Sequence, residues 1–425
     1  MKPEIKKRIE QIQNGQAPKG YKKTKLGIVP SEWDVKQLKH ILDQIERKVP
    51  KPKQGYWRLG LRSHAKGTFY EFVNDPDAVA MEELFTVAEN DLIVNITFAW
   101  EHAIALANQA DEGKLVSHRF PTYRFNEKAC PYFYKYYVIQ PHFKKMLSDI
   151  SPGGAGRNRV MSKNSFQKLF VLFPPLTEQE KIAEILLTWD KALRLKELLI
   201  AEKKQLKKWL MQNLLTGKKR LPSFCDEWKD VRLEDICTLN DNVLSENTQS
   251  NFEFSYIDLS SVERGKITLP LIAIKFEELP SRARRLFKKD DILMSTVRPY
   301  LLGFAYIDKE YNYYVCSTGF AVVRAREGIC SKYIYHLLFS DGVIRQINQC
   351  LMGTNYPALN NNDVNQLYFE LPSLPEQIAI AEVLSTADRE IGLHEKQLEE
   401  QKKQKKALMQ LLLTGIVRVY AREVS

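Results

Sequence analysis

The sequence predicts an α+β protein built as insert–helix–insert–helix, with two globular inserts and two long helices that pair antiparallel. Three observations predict it. Two separated sequence blocks recur at one constant offset. The stretch that each pair brackets carries heptad-like apolar stripes. The regions between the repeats show short β-leaning runs set off by turn residues.

Residues 174–186 read PPLTEQEKIAEIL and residues 372–384 read PSLPEQIAIAEVL, identical at eight of 13 positions with an offset of 198. Residues 208–217 (KWLMQNLLTG) and 406–415 (KALMQLLLTG) agree at eight of ten with the same offset, so each pair brackets an element of fixed length. Upstream, Trp33, Leu38 and Ile41 share their spacing with Trp228, Leu233 and Ile236, offset by 195. Both tryptophans read as structural anchors.

The bracketed element reads as a helix of about 39 residues, or ~58 Å at ~1.5 Å per residue. Thr177 and Glu180 have capping-box spacing, and Pro375 suits a first helical turn. Gly217 and Gly415 stand where C′ glycines would end each helix, and Gly392 is the one weak point inside. Ile182, Leu186, Trp189, Leu193 and Ile200 share one face of the first copy, with Leu210 and Leu214 at its far end. Ile380, Leu384, Ala387, Ile391 and Leu398 repeat this in the second, with Leu408 and Leu412. Charged residues fill the other faces, so neither helix buries its stripe alone and each needs the other. The competing arrangement packs each helix on its own insert.

The inserts, 34–173 and 229–371, read as α+β domains. Residues 92–97 and 292–297 occupy equivalent places as core strands ending in polar loops, and 132–147 and 331–349 read as helical. Basic and polar residues cluster near them. The first insert offers Arg58, Arg62, Lys66, Asn95, Thr97, Ser117, His118, Arg119, Arg124, Arg157, Asn158 and Arg159. The second offers Ser260, Ser261, Arg264, Arg282, Arg284, Arg285, Thr296, Arg298, Thr354, Asn355 and Tyr356. Arginine can pair bidentately with guanine and asparagine with adenine, whereas Lys, Ser and Thr suit phosphate contacts that position without specifying.

Lys plus Arg number 63 against 52 Asp plus Glu, a net charge of +11, which points to a polyanion and to nucleic acid first. No run of 18 apolar residues offers a membrane span, and the first residues lack the apolar core of a signal peptide. Six cysteines without CxxC spacing read as reduced thiols, and the expected compartment is the cytoplasm. No Walker A, GxGxxG, HExxH or zinc-deaminase motif occurs, nor the Asn-Pro-Pro-aromatic tetrapeptide of an amino-methylating enzyme, and the seven histidines lack metal spacing. The chain therefore reads as non-catalytic and metal-free. The enzyme alternative is a single-chain methyltransferase or nuclease with fused recognition domains. A third reading is a coiled-coil adaptor without sequence preference.

The chain closely resembles the specificity subunit of type I restriction–modification systems. The resemblance is carried by LTEQEKIAE at 176–184, LPEQIAIAE at 374–382, the two LLTG ends, GIVPSEW at 27–33, SRARR at 281–285 and TVRP at 296–299. It implies two α/β target recognition domains, each reading half of a bipartite asymmetric DNA sequence. Two conserved helices would form an antiparallel, pseudo-twofold coiled-coil spacer between them. The implied division is 1–175, 176–217, 218–372 and 373–425. The resemblance further implies docking of two methyltransferase subunits that use S-adenosylmethionine for adenine N6 methylation. ATP- and Mg-dependent restriction/translocase subunits would join them, with no cofactor on this chain. Family members often carry Gly before the Asp of the 91 and 291 strands; here Asn90 and Asp290 stand there, both tolerant of a left-handed turn.

Overall fold

The computed structural model describes residues 3–153, 159–270, 273–311, 313–351 and 357–419. It forms two compact units, one of Met1–Leu195 with Leu398–Ser425 and one of Lys196–Gln397. The cut falls inside both long helices, the central helix Leu176–Leu214 and the distal helix Leu374–Leu413. Each unit thus holds one insert and a part of each helix.

In unit 1 a four-stranded antiparallel sheet runs in the order Ile104–Leu106, Leu92–Val94, Thr122–Phe125, Leu42–Ile45. A five-stranded sheet carries the hairpin Tyr56–Leu61/Thr68–Val73 at its edge and has one parallel pairing, Leu115 to Arg58. In unit 2 the sheet order is Phe304–Tyr306, Ile292–Ser295, Phe320–Ala325, Cys237–Leu239. Its second sheet again contains one parallel pair, Ser255 to Tyr314. The two inserts therefore share a strand order that their dissimilar sequences did not advertise. In both, a wholly buried aspartate anchors the central strand. Asp91 accepts from the Ala88 amide and takes two bonds from Arg47, at 2.6 and 3.1 Å. Asp291 accepts from the Lys288 amide and takes two from Arg324, at 2.8 and 2.7 Å. The preceding Asn90 and Asp290 do adopt left-handed backbone, φ 66° and 71°.

Each core mixes its insert with both long helices. In unit 1 Trp33, Tyr123, Phe133, Tyr134 and Phe166 pack with Ile182, Ala183 and Leu186 from the central helix and Leu412 and Leu413 from the distal one. In unit 2 Leu233, Phe304, Tyr333 and Ile334 pack with Ile380, Ala381 and Leu384 and with Leu214 and Leu215. Burial of each such side chain contributes about 1.5–3 kcal/mol before entropy is counted. Helix–helix and helix–insert packing thus coexist: Ile182, Leu186, Ile380 and Leu384 serve the insert cores, while Leu193, Ile200, Ile391 and Leu398 are buried further along and Trp189 and Ala387 only half-buried.

The helix segments pair antiparallel within each unit. Asp190 bonds Lys405 in unit 1. In unit 2 Lys203 meets Glu390 at 2.7 Å and Lys207 meets Asp388 at 2.5 Å, so numbers rise on one helix as they fall on the other. Adding 198 to Asp190 and Lys207 gives Asp388 and Lys405, so one ion pair occurs twice with the helices exchanged.

The N-terminal capping box is displaced. The helix starts at Leu176, which puts Thr177 inside the first turn, and the Pro175 carbonyl accepts from the Glu178 and Gln179 amides instead. Gln179 then bonds the Pro174 carbonyl and the Cys130 amide, as Gln377 bonds Pro372 and Cys330. The C-terminal glycines behave as read, at φ 66° for Gly217 and 71° for Gly415. A Cβ on Gly217 would meet nothing closer than 3.7 Å, whereas one on Gly415 would lie 2.5 Å from Pro30. Gly217→Ala is expected to cost about 1 kcal/mol from backbone strain, and Gly415→Ala at least about 2 kcal/mol. Urea unfolding of the two variants gives the comparison; equal costs would contradict it.

Candidate nucleic-acid interface

Many of the sequence-chosen residues lie on loops that leave or border the four-stranded sheet in each unit, whereas Arg58, Arg124, Arg284 and Arg285 lie within strands. In unit 1 the strand ending at Val94 runs into the loop 95–102, which holds its neighbours by backbone bonds. Ile96 donates to the Arg119 carbonyl and Met161 donates to the Ile96 carbonyl. The hairpin turn 62–67 joins from the other side, through His64 to Glu101 and Ala65 to His102. Unit 2 repeats the weave: Thr296 donates to Gly319, Leu359 to Thr296, and Gly265 to Phe304. Two of these backbone bonds correspond between the units, Ile96 with Thr296 and Met161 with Leu359, under different side chains, while the hairpin is tied to the loop differently in each.

Within this weave the candidates separate by exposure. Arg62, Lys66, His118 and Arg119 are exposed in unit 1, and Arg264, Arg282 and Arg298 in unit 2. Others are committed to the loops themselves. Asn95 is buried and its Oδ1 accepts from the Thr97 amide; Ser117 is buried and accepts from the Arg119 amide. Thr296 is buried and donates to the Gly319 carbonyl. Ser260 and Ser261 both donate to Asp258 at 2.8 Å. Arg285 is half-buried and donates to the Phe320 carbonyl, while half-buried Arg284 bonds the Ala283 carbonyl. Arg58 pairs with Glu71 at 2.6 Å, Arg124 is exposed 4.0 Å from Asp91, and Arg159 lies over the Trp100 ring. Arg157, Asn158, Thr354, Asn355 and Tyr356 lie outside the described residues.

Sequence reasoning missed several participants. His102 closes the loop of unit 1 with φ 69°; its Nε2 lies 2.7 Å from the Val138 carbonyl and burial lowers its pKa. Leu301 stands exposed on the matching loop of unit 2, beside Tyr300, which the sequence does single out. Two framework nodes were also unseen. In unit 1 the Glu178 carboxylate accepts from Trp33 Nε1 at 2.8 Å and from Arg418 at 2.8 and 3.0 Å. In unit 2 Glu376 accepts from Trp228 Nε1 at 3.1 Å and twice from Arg220 at 2.6 Å. The six cysteines are free thiols, and no cluster of potential metal ligands occurs among the described residues.

The family model for the type I restriction modification DNA specificity domain matches the chain twice, over residues 30–205 and 225–403. The chain belongs to the type I restriction–modification specificity family. The specificity subunit is 25% identical to the MjaVIII specificity subunit of Methanocaldococcus jannaschii over 416 residues, 92% of this chain and 94% of that one. It is 26% identical to the HindI specificity subunit of Haemophilus influenzae over 178 residues, 40% of this chain and 37% of that one. Among solved structures it superposes on a chain from a study of complex assembly and conformational transition in the type I R-M system. That match has a TM-score of 0.56 at 18% identity, covering 92% and 99% of the two chains. The S subunit from M. genitalium matches at 0.53 and 14%, covering 92% and 97%. The specificity subunit thus carries two target recognition domains, is a non-catalytic part of its complex, binds DNA and assembles with other subunits. No helix among the described residues is long and apolar enough to cross a membrane.

Proposed function

We propose that each unit reads one half of a bipartite, asymmetric DNA target, and that the long helices set the spacer between the halves. The observation that carries this is the doubled loop weave, with Arg62, Lys66, His118 and Arg119 exposed on one copy and Arg264, Arg282 and Arg298 on the other. A shared strand order with unlike side chains predicts unlike half-sites. The division at 175, 217 and 372 separates readers from spacer. The exposed Leu198, Leu206 and Trp209 on the central helix suit docking of a methyltransferase subunit. Two such subunits would bring S-adenosylmethionine for adenine N6 methylation, and restriction/translocase subunits would bring ATP and Mg, all in the cytoplasm. Replacing residues 34–173 by another such insert is expected to change one half-site only, read by sequencing methylated adenines in the host. If both half-sites change, the division of labour is wrong. Inserting four residues within 196–206 is expected to change the spacer length and leave both half-sites intact; altered half-site bases would sink the ruler.

A further inference from the structure

The loop that leaves the central strand is built differently in the two units. In unit 1 it is closed over itself: Glu101 takes a bond from Ser63, His102 reaches Val138, and Arg159 lies over Trp100. In unit 2 the short turn Pro299–Leu301 is flanked by two left-handed non-glycine residues, Arg298 at φ 50° and Leu302 at φ 55°. Backbone bonds hold that strained shape, from Arg298 to the Pro357 carbonyl and from Leu302 to Pro299. What the turn presents is apolar: Tyr300 is 49% exposed and Leu301 59% exposed. Solvent does not reward holding a leucine out on a strained turn, and strain kept at an exposed site points to a function.

The surroundings select the occupant. Arg298 is exposed within the turn itself. Arg264 is exposed at a hairpin tip whose Gly265 amide bonds the Phe304 carbonyl, three residues past the turn. Arg282 is exposed beside Thr318, which donates to the Arg282 carbonyl, next to the Gly319 that bonds Thr296. Two exposed apolar side chains next to Arg298, on a turn whose flanking segments are tied by backbone bonds to those that carry Arg264 and Arg282, match the chemistry of a wedge that unstacks bases while cations hold the adjoining phosphates. We propose that Tyr300 and Leu301 form an apolar wedge that enters the base stack of the half-site read by unit 2, with Arg264, Arg282 and Arg298 on the flanking phosphates. This rests on the half-site reading proposed above. The matching turn of unit 1, Ala99–Glu101, presents no exposed apolar pair, so the proposed distortion belongs to the half read by unit 2.

The test uses the full complex with its methyltransferase subunits and a duplex carrying the target defined by methylated-adenine sequencing. 2-Aminopurine replaces, one at a time, each base of both half-sites except the methylated adenine. The wild-type complex is expected to raise fluorescence at one step in the half-site of unit 2 and nowhere unmethylated in the other. The double variant Tyr300→Ala/Leu301→Ala is expected to lose that rise and bind at least about tenfold more weakly, while Leu301→Met retains both. Unchanged fluorescence in the double variant overturns the wedge. Loss of the methyltransferase subunits from the purified double variant also overturns it, and makes the turn a protein-docking site. A wild-type complex with no sequence preference overturns the half-site reading itself, a result separable from either.

Discussion

Replacing Glu178 by alanine is expected to cost unit 1 about 3–5 kcal/mol of stability. The carboxylate is 5% exposed and satisfies three groups together: the Trp33 indole and two nitrogens of the Arg418 guanidinium, itself 11% exposed. Removing it strips a nearly buried cation of two bonds and of its most buried printed counter-charge, while Glu32, whose side chain is 64% exposed, stays beside it. It also leaves the Trp33 N–H without an acceptor inside the core. The weakened pairing of that nearly buried charge dominates the sum, because its desolvation is offset less well. Glu178→Leu with Arg418→Met is therefore expected to recover most of the loss, the residue being the orphaned indole. Urea unfolding of the four proteins of that cycle measures it. A Glu178→Ala cost within 1 kcal/mol of zero would show the node to be solvated in solution.

Acid is expected to weaken unit 2 through one buried histidine. His336 lies 2% exposed on the helix Ser331–Leu338, its Nε2 3.0 Å from Ser385 Oγ, and burial, with Lys207 and Lys332 nearby, lowers its pKa to about 3. Other groups facing it are Asp388, 3.9 Å away and itself bound to Lys207. Between the unfolded pKa near 6.5 and the folded value near 3, the unfolded chain binds a proton that the folded one refuses. Stability then falls as pH falls across that window, by up to about 1.4 kcal/mol per pH unit. His336→Gln keeps a hydrogen-bonding side chain without the titration, so its melting temperature is expected to drop less steeply from pH 6.5 to 4. Parallel slopes for the two proteins would remove His336 from the account.

The long helices were legible because their stripes and end glycines recur at 198 residues, and a repeat survives divergence where both copies face the same packing problem. The tryptophan anchors were legible for the same reason. The shared strand order of the inserts was not. Its buried positions accept any apolar residue of suitable size, so Leu92 and Ile292 serve alike. Its loop weave uses backbone groups, so Ile96 and Thr296 make the same bonds with unrelated side chains. Arg220 and Arg418 did leave a signal, each three residues past an end glycine at the same offset, but beyond the block of strong identity. Polar residue type located the loops and could not separate Thr296, which holds its loop, from Arg298, which leaves it. Leu301 was invisible because a leucine in a sequence reads as core.

The division of the two units along the chain has a consequence for how the protein is made. Unit 2 is one continuous stretch, Lys196–Gln397, while unit 1 needs Leu398 and beyond. Leu412, Leu413 and Arg418, which fill the core of unit 1 and neutralise Glu178, are synthesised only after all of unit 2. At about 5–20 residues per second the first-made insert waits roughly 10–40 s with its Trp33 pocket unfilled. The second-made unit completes first, and the ribosome delivers the closing piece of the first one last.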